Sequence, residues 1–342
     1  MNRIVLTVLT MLFVSLWSSG WAASHYAITS SSALSVLSAR YAVVVLLLLV
    51  IVTLLRQWQR IPRRELMFHL LIGALCHALY LLGSVGAFEL GVSAAVIAFI
   101  NALQPSATAS ISGAVTGEYI KTRHLKGLVL GIVAVVLIVS NSYYQSGVSP
   151  IALTLPFIAM LALSLGIVLN RRQEVKAKSS NHPPRPLTLL LLIHTFGASL
   201  IIVPMAALRG ELHWQFTVTQ WTAIAWLAIA VSLASYALLI FLLRHMSAVR
   251  VSSLTYLVPP ATILQSYFLF GQTISQTDIV ALCIASIAVY QILSNPTPAS
   301  IVQRTTSNTA RLARYRLQWV SARALNPDIR PSNANQLQHT VR

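Results

Sequence analysis

Arg40 is the residue of this sequence with the most specific chemical potential, because it stands seven residues after Ala33 inside a long apolar run. An ionisable side chain at bilayer depth costs from a few to more than about ten kcal/mol when it faces lipid, so it usually faces a cavity or a partner. Two interpretations stay open. Arg40 forms an electropositive site for a carboxylate or another anion, or it is a structural pin that bonds to helix carbonyls or snorkels outward.

Three further ionisable residues stand in or beside apolar runs. His77 and His194 could relay protons near neutral pH, although a single histidine satisfied at a helix interface is the commoner case. Glu118 ends an apolar run, where it could gate the mouth of a pathway or act at the helix end by pairing with Lys121 or Arg123. No Asp or Glu lies in the middle of such a run, so the sequence offers no buried carboxylate as a proton switch.

No pattern in the sequence points to catalysis. The serines and histidines form no recognisable nucleophile motif, there is no cluster of metal ligands, and there is no GxxxxGK[ST] loop for ATP. Cys76 and Cys283 both fall inside apolar runs, which favours packing residues over a disulfide. We therefore expect no enzyme activity, no catalytic residue, no metal and no cofactor.

Prolines interrupt two of the apolar runs, at Pro105 and at Pro259 with Pro260. A proline removes a backbone donor, and matching helix breaks in two halves of a transporter point to its binding site. Two sets of residues could orient or enclose a small ligand: polar Asn101, Gln104, Thr108, Tyr256, Thr262 and Gln265, and aromatic Trp17, Trp21, Tyr80 and Tyr236. The alternative is that these groups only bond and pack between helices.

The elements that position these residues are predicted to be membrane helices. Hydrophobic residues make up 56% of the 342 residues and charged residues 9%, whereas a soluble domain carries roughly 25% charged residues. Apolar runs of about 20 residues select helices rather than barrel strands. Ten spans are expected, at about 4–28, 33–55, 67–88, 92–115, 125–142, 151–170, 186–208, 218–243, 249–270 and 277–293.

The chain also repeats itself at an offset of 154 residues. Without a gap, 13 of the 46 pairs between residues 93–138 and 247–292 are identical, and Pro105 and Gly117 fall on Pro259 and Gly271. Such self-similarity indicates a repeat architecture. The predicted fold is all-α and integral to the membrane, with ten helices as two inverted five-helix repeats, because an odd number of spans reverses the second half.

The repeat sets the predicted domain boundaries. Residues 1–145 form the first five-helix repeat, 150–293 the second, and 294–342 a basic tail that is largely disordered or contains one short amphipathic helix. The first span also imitates a secretory signal peptide, because an apolar run between Met1-Asn2-Arg3 and Ala22-Ala23 has its form. Cleavage would leave four helices against five, so the repeat favours retention.

The basic residues predict the orientation. Of the 24 lysines and arginines, 22 lie in alternate loops and the tail, on the side of Arg3. Cytoplasmic loops carry this excess, so both termini are expected in the cytoplasm and the chain in the inner (cytoplasmic) membrane as a multi-pass protein. The formal net charge of +17 is spread over short juxtamembrane loops, which fits anionic lipid headgroups better than nucleic acid.

Five short motifs resemble the drug/metabolite transporter superfamily in its EamA-type branch. They are the run 16–20 (LWSSG), the run 37–41 (LSARY), Ala102–Pro105 followed by Gly117-Glu118, the run 163–171 (LSLGIVLNR), and Ser247-Ala248 to Pro259-Pro260. The resemblance covers residues 4–293 and implies a cytoplasmic-membrane carrier, commonly an exporter of amino acids, metabolites or toxic organic compounds, driven by an ion gradient or exchange. This chain departs from the pattern at Gln272, where a second glutamate is frequent, and in span 7, which has no clear partner for Arg40.

The sequence therefore predicts a secondary active transporter that exports a small organic solute by alternating access. Its expected partners are the solute and the bilayer, with a homodimer as an additional expectation. Two other functions stay open: a channel or facilitator that needs no gradient, and a membrane scaffold or signalling protein acting through the tail. A membrane enzyme has no positive feature behind it.

Overall fold

A computed structural model describes residues 3–28, 31–92, 103–116, 149–179 and 184–258, together with residues 97, 100–101, 261, 264–265 and 267–268. Eight helical elements are described in these ranges. They are α1 (Arg3–Ile28), α2 (Ala33–Leu54), α3 (Arg63–Gly73, π-helical Ala74–Leu79, Tyr80–Glu89), α4 (Gln104–Thr116), α5 (Pro150–Ser179), α6 (Leu187–Leu208), α7 (Val218–Trp226, π-helical Leu227–Ser235, Tyr236–His245) and α8 (Ala248–Ser253 with 3₁₀-helical Leu254–Leu257).

Within the described residues the fold is entirely helical, and six helices are long and apolar enough to cross a membrane: α1, α2, α3, α5, α6 and α7. This confirms the predicted all-α membrane class. The predicted spans 125–142 and 277–293 and the tail lie outside the described residues, as do parts of 92–115 and 249–270. Ten helices therefore stay a prediction.

Two helices are longer than their predicted spans. α3 begins at Arg63 rather than near residue 67, and α5 runs to Ser179 rather than residue 170. The added turns are polar, and Glu174 in the extension of α5 accepts a hydrogen bond from Nε of Arg244 at 3.0 Å. The reason is that hydropathy marks where a helix leaves the apolar layer, whereas the helix itself continues as long as polar partners satisfy its side chains.

The repeat is visible in the helix bounds. The 154-residue offset carries Ala33–Leu54 of α2 onto Leu187–Leu208 of α6. It also carries the π-helical segment of α3 onto residues 228–233, inside the π-helical segment of α7. π-helical turns are rare and appear frequently at functional sites, so their recurrence at one offset is a strong structural mark of duplication.

The equivalent helices α2 and α6 pack against each other and run in opposite directions. Gln57, just after α2 ends, accepts a hydrogen bond from Thr188 at the start of α6. Leu34, at the start of α2, belongs to the same buried cluster as Ala206, near the end of α6.

The loops predicted on one side of the membrane meet at one end of the described bundle, which we call the basic end. Arg185 donates to both carboxylate oxygens of Glu65 at 3.0 Å, and its carbonyl accepts from Arg244 at 2.7 Å. The Glu65 carboxylate raises the pKa of Arg185. At the opposite end Gln220 donates to Ser31 at 3.0 Å, and Thr217 and Gln220 form a capping box that starts α7.

Glycines bring the backbones of α3 and α6 into contact. A Cβ at Gly73 would overlap the carbonyl oxygen of His194, and one at Gly197 would lie 2.5 Å from the carbonyl oxygen of Leu70. Small residues of this kind permit the close approach that drives helix association in a bilayer. α6 is therefore held against α3 on one side and α2 on another, which fixes where the ionisable side chains of these three helices lie.

Candidate functional site

Arg40 lies in the interior of the bundle, with 4% of its surface exposed. Its Nε donates to the hydroxyl of Ser232 at 2.7 Å, and its guanidinium carbon lies 5.9 Å from the centre of the Tyr41 ring. We call the group around it the arginine cluster. Its members are Trp17, Arg40, Tyr41, His77, Tyr80, Ser232 and Tyr236, from helices α1, α2, α3 and α7.

The Arg40 guanidinium has more hydrogen-bond donors than the described residues have acceptors for it. A guanidinium has five N–H donors, yet its one hydrogen bond within the described residues goes to Ser232. No described carboxylate forms an ion pair with it, and no described helix carbonyl accepts from it. Burying a charge without a partner is strongly unfavourable, so an anionic acceptor would stabilise this guanidinium.

Aromatic rings surround the buried charge. The ring of Trp17 lies 5.0 Å from that of Tyr236 and 6.4 Å from that of Tyr80, centre to centre. The ring of His77 stacks on Tyr236 at 3.8 Å, and the Tyr41 hydroxyl lies 3.0 Å from Nδ1 of His77. Such a wall suits an amphipathic or aromatic solute, because aromatic rings bury a large apolar area at specific geometry.

Both π-helical segments contribute to the arginine cluster. His77 comes from the segment in α3 and Ser232 from the one in α7. A π-helical turn shifts the register of the side chains that follow it, and here it places the imidazole and the hydroxyl near the guanidinium from opposite halves of the chain. The Nε2 atom of His77 is buried without a hydrogen-bond partner among the described residues.

The comparison that decides the family is a match to a family model described as the EamA-like transporter family, over residues 4–140 and again over 149–294. The chain belongs to this family. The family is part of the drug/metabolite transporter superfamily, so the resemblance seen in the sequence motifs is confirmed.

The fold also resembles a solved protein. A crystal structure whose title gives no function matches with a TM-score of 0.65 and 16% sequence identity, covering 84% of this chain and 97% of that one. At this identity the likeness concerns the fold alone. No significant match was found among curated proteins.

In this EamA-like transporter, five residues singled out in the sequence come together: Trp17, Arg40, His77, Tyr80 and Tyr236. Two members of the arginine cluster were missed. Tyr41 adjoins Arg40 in the LSARY motif, which could have drawn attention to it. Ser232 carries no sequence signal, because a serine in an apolar helix is too common.

The other predicted site residues have different neighbours. The Gln104 carbonyl accepts from Ser164 at 3.4 Å, and its Nε2 is buried without a described partner, as are both amide atoms of Asn101. Gln265 donates to the carbonyl of Ser15 at 2.9 Å, and Tyr256 lies partly buried in the 3₁₀ segment of α8. Their described hydrogen bonds do not join them to the arginine cluster.

The helix-break residues divide between described and undescribed parts of the chain. Pro105 lies in the first turn of α4, directly after a turn at Leu103. This position tolerates proline because its missing N–H has no helical partner there anyway. Pro259, Pro260 and Glu118 lie outside the described residues.

A groove of about 420 Å³ lies elsewhere, between α1 and α7, and it is not the place where the charge is buried. Its lining combines small residues with Tyr26 and Trp226 and contains no charged side chain. Trp226 donates to Ser19 at 2.9 Å across it. Because ligand sites combine apolar walls with a few well-placed polar or charged groups, the arginine cluster is the better candidate.

Proposed function

We propose that this EamA-like transporter is a secondary active carrier that exports a small organic solute bearing a carboxylate or another anionic group. The observation that carries the proposal is Arg40, a buried guanidinium whose one described hydrogen bond goes to a hydroxyl. A solute anion would supply the missing acceptors through charge-assisted bonds. The surrounding Trp17, Tyr80 and Tyr236 favour an amphipathic or aromatic body for that solute.

Alternating access is the mechanism that the helix arrangement supports. Helices α2 and α6 are equivalent under the repeat and antiparallel, as expected if two five-helix repeats have inverted topology. Inverted repeats let one bundle rock against the other around a central site. The arginine cluster joins α2 of the first half to α7 of the second, so rocking would open it to each side in turn.

In the proposed orientation the chain lies in the inner membrane and both of its termini are in the cytoplasm. Its support is the basic end, where Arg185 and Arg244 converge with Glu65 and Glu174. Lysines and arginines near a membrane surface attract anionic headgroups and accumulate on the cytoplasmic side. With this orientation the solute enters from the basic end and leaves at the opposite end.

The first experiment compares solutes outside cells that express the chain with those outside vector controls, with and without an uncoupler. Enrichment of an anionic or zwitterionic solute that the uncoupler abolishes is the expected result. Enrichment that the uncoupler leaves unchanged would favour a gradient-independent facilitator. Absence of enrichment, for metabolites and for supplied toxic acids alike, would contradict export.

The competing scaffold function is tested by deleting residues 300–342. We expect transport to survive this deletion, because the family match ends at residue 294. A cellular phenotype that is lost while transport remains would assign the tail its own role.

A further inference from the structure

The described residues contain a second buried cluster of ionisable side chains, the histidine pair His69 and His194. Nδ1 of His69 lies 3.1 Å from Nε2 of His194, with ring centres 5.3 Å apart and planes inclined by 33°. Only 4% of His69 and 2% of His194 is exposed. Between two neutral imidazoles such a bond needs one nitrogen to donate its proton and the other to accept. The pair can therefore take up one further proton and still keep its hydrogen bond.

Close backbone packing holds this pair in place. Gly73 lies against the carbonyl of His194, and Gly197 lies against the carbonyl of Leu70, one residue beyond His69. The two glycines thus bring α3 and α6 together where the imidazoles meet. A change in the distance between α3 and α6 would break or remake the bond.

The histidine pair lies between the basic end and the arginine cluster along α3. His69 follows Glu65 by one helical turn and precedes His77 by about two turns, or about 12 Å of rise. Glu65 has 28% of its side chain exposed, so water reaches within one turn of His69. On the other side His77 contacts Tyr41 and Tyr236 of the arginine cluster.

Few charges face the pair from the elements packed around it. Burial itself disfavours a proton on either imidazole. Among the charges, Glu65 of α3 favours a proton on His69 and Arg185 disfavours one, while Lys176 of α5 acts on Glu65. His77 of α3 is the neighbour on the inner side, and it lies in the field of Arg40 of α2. His194 is the only ionisable residue within α6. Among the described residues the Glu65 carboxylate is thus the one stabilising charge, and it is shared with Arg185.

The repeat relates the pair to the solute site. Under the 154-residue offset His194 of α6 takes the position of Arg40 of α2. Arg40 bonds across to α7, and His194 bonds across to α3, the equivalent of α7. The two halves therefore each present one ionisable group at the same position along equivalent helices, and because α2 and α6 are antiparallel, Arg40 and His194 lie towards opposite ends of the bundle.

We propose that the histidine pair is a proton-binding site of the transport cycle, an inference that rests on the proposed carrier function. One proton arrives from water at the basic end, and the neutral pair becomes an imidazolium hydrogen-bonded to an imidazole. No other bond forms or breaks, and release returns the same proton to water. Access to the pair depends on the contact between α3 and α6, so helix rocking would gate protonation in step with solute movement.

The test uses purified protein in proteoliposomes with radiolabelled N-acetylphenylalanine, an aromatic carboxylate, and a pH-sensitive dye inside. Two assays are compared: probe-for-probe counterflow, which needs no net proton transfer, and proton flux driven by a probe gradient. For His69→Gln and His194→Gln we expect proton flux to fall by about tenfold or more while counterflow stays within about threefold of wild type. His245→Gln is the matched control, because His245 is exposed and bonds to its own helix carbonyl.

The outcomes separate this inference from the proposed function. Counterflow with no proton flux in wild type, or undiminished flux in both variants, would overturn the proton site and leave the carrier intact. No wild-type counterflow would instead contradict the solute class.

The pair can also be tested without any solute. Nitrogen-15 histidine spectra in nanodiscs should contain a scalar coupling across the N–H···N bond that either glutamine variant removes. They should also contain a single protonation that the two rings share as the pH is lowered. The inference would be overturned by a folded protein whose spectra lack this scalar coupling, or whose histidine pair stays neutral at every pH at which the protein is folded.

Discussion

The equivalent helices α2 and α6 have the same length and matching bounds, but they carry different chemistry at the same position. Arg40 in α2 is a permanent cation, whereas His194 in α6 can gain and lose a proton. Arg40 bonds to the hydroxyl of Ser232 and His194 to the ring of His69. Duplication has thus preserved the backbone and the position along the helix, while the side chains have diverged into two kinds of site.

Arg40 and His194 also differ in how fully the protein supplies them with partners. Several N–H groups of Arg40 have no described acceptor, so its surroundings are incomplete without an anion. His194 has its carbonyl against Gly73 and its ring hydrogen-bonded to His69, so it already has a partner within the protein. A site that awaits a ligand and a site that responds to helix movement are what a coupled carrier requires.

The largest effect is expected for Arg40→Ala, which removes the only described buried cation of the arginine cluster. Transport of anionic or zwitterionic solutes should be abolished while expression stays near normal, because the solute loses charge-assisted bonds worth about 1.5–3 kcal/mol each. Counterflow of N-acetylphenylalanine measures the loss, and Arg209→Ala, in a loop, is the control. Normal transport by Arg40→Ala would leave Arg40 only a structural role.

Overpacking at the histidine pair is expected to come next. Gly73→Ala places a methyl group where the carbonyl oxygen of His194 lies, so α3 and α6 must separate at a cost of about 1–3 kcal/mol. Thermal unfolding in detergent should fall clearly below wild type. Gly86→Ala in the same α3 is the matched control, because its added Cβ would meet only Leu155 at 3.6 Å. Equal stability of the two variants would mean that the close helix contact is not maintained.

Ser232→Ala tests how much the hydroxyl partner of Arg40 contributes to binding at the arginine cluster. The hydroxyl makes the one described hydrogen bond of Arg40, and a net contribution of about 1 kcal/mol corresponds to roughly a fivefold change. We expect weaker binding of the anionic probe by about that factor, measured as a shift in the half-saturation concentration of counterflow. Ser199→Ala, whose hydroxyl bonds to its own helix at Thr195, should have no such effect.

The smallest effect is expected at the basic end. Glu65 and Arg185 form a partly exposed ion pair, and such pairs contribute about 0–1 kcal/mol and weaken in salt. Glu65→Gln should change stability only within that range. If His69 depends on the Glu65 carboxylate, the same variant should shift the proton flux towards lower pH. A loss of several kcal/mol in stability would mean that the ion pair between Glu65 and Arg185 is a main contact holding the helices together.

The sequence predicted those features that depend on the residues of a single segment. Hydropathy placed α2 and α6 almost to the residue, and the cost of burying charge in an apolar run was enough to single out Arg40. It could not find His69, because that residue stands beside Glu65 near the polar start of α3 and looks solvent-exposed. Nor could it anticipate the π-helical segments, which depend on packing between helices far apart in the chain. The offset of 154 does relate Arg40 to His194, but spacing alone did not reveal that they serve different partners.

The most direct test of the central claim compares a carboxylate with its neutral counterpart. Binding of N-acetylphenylalanine and of N-acetylphenylalaninamide would be measured for wild type and Arg40→Met in nanodiscs. The account predicts that wild type prefers the carboxylate by about tenfold or more and that Arg40→Met loses this preference. Equal binding of the two probes by wild type, or an unchanged preference in Arg40→Met, would contradict the claim that the buried guanidinium binds the solute.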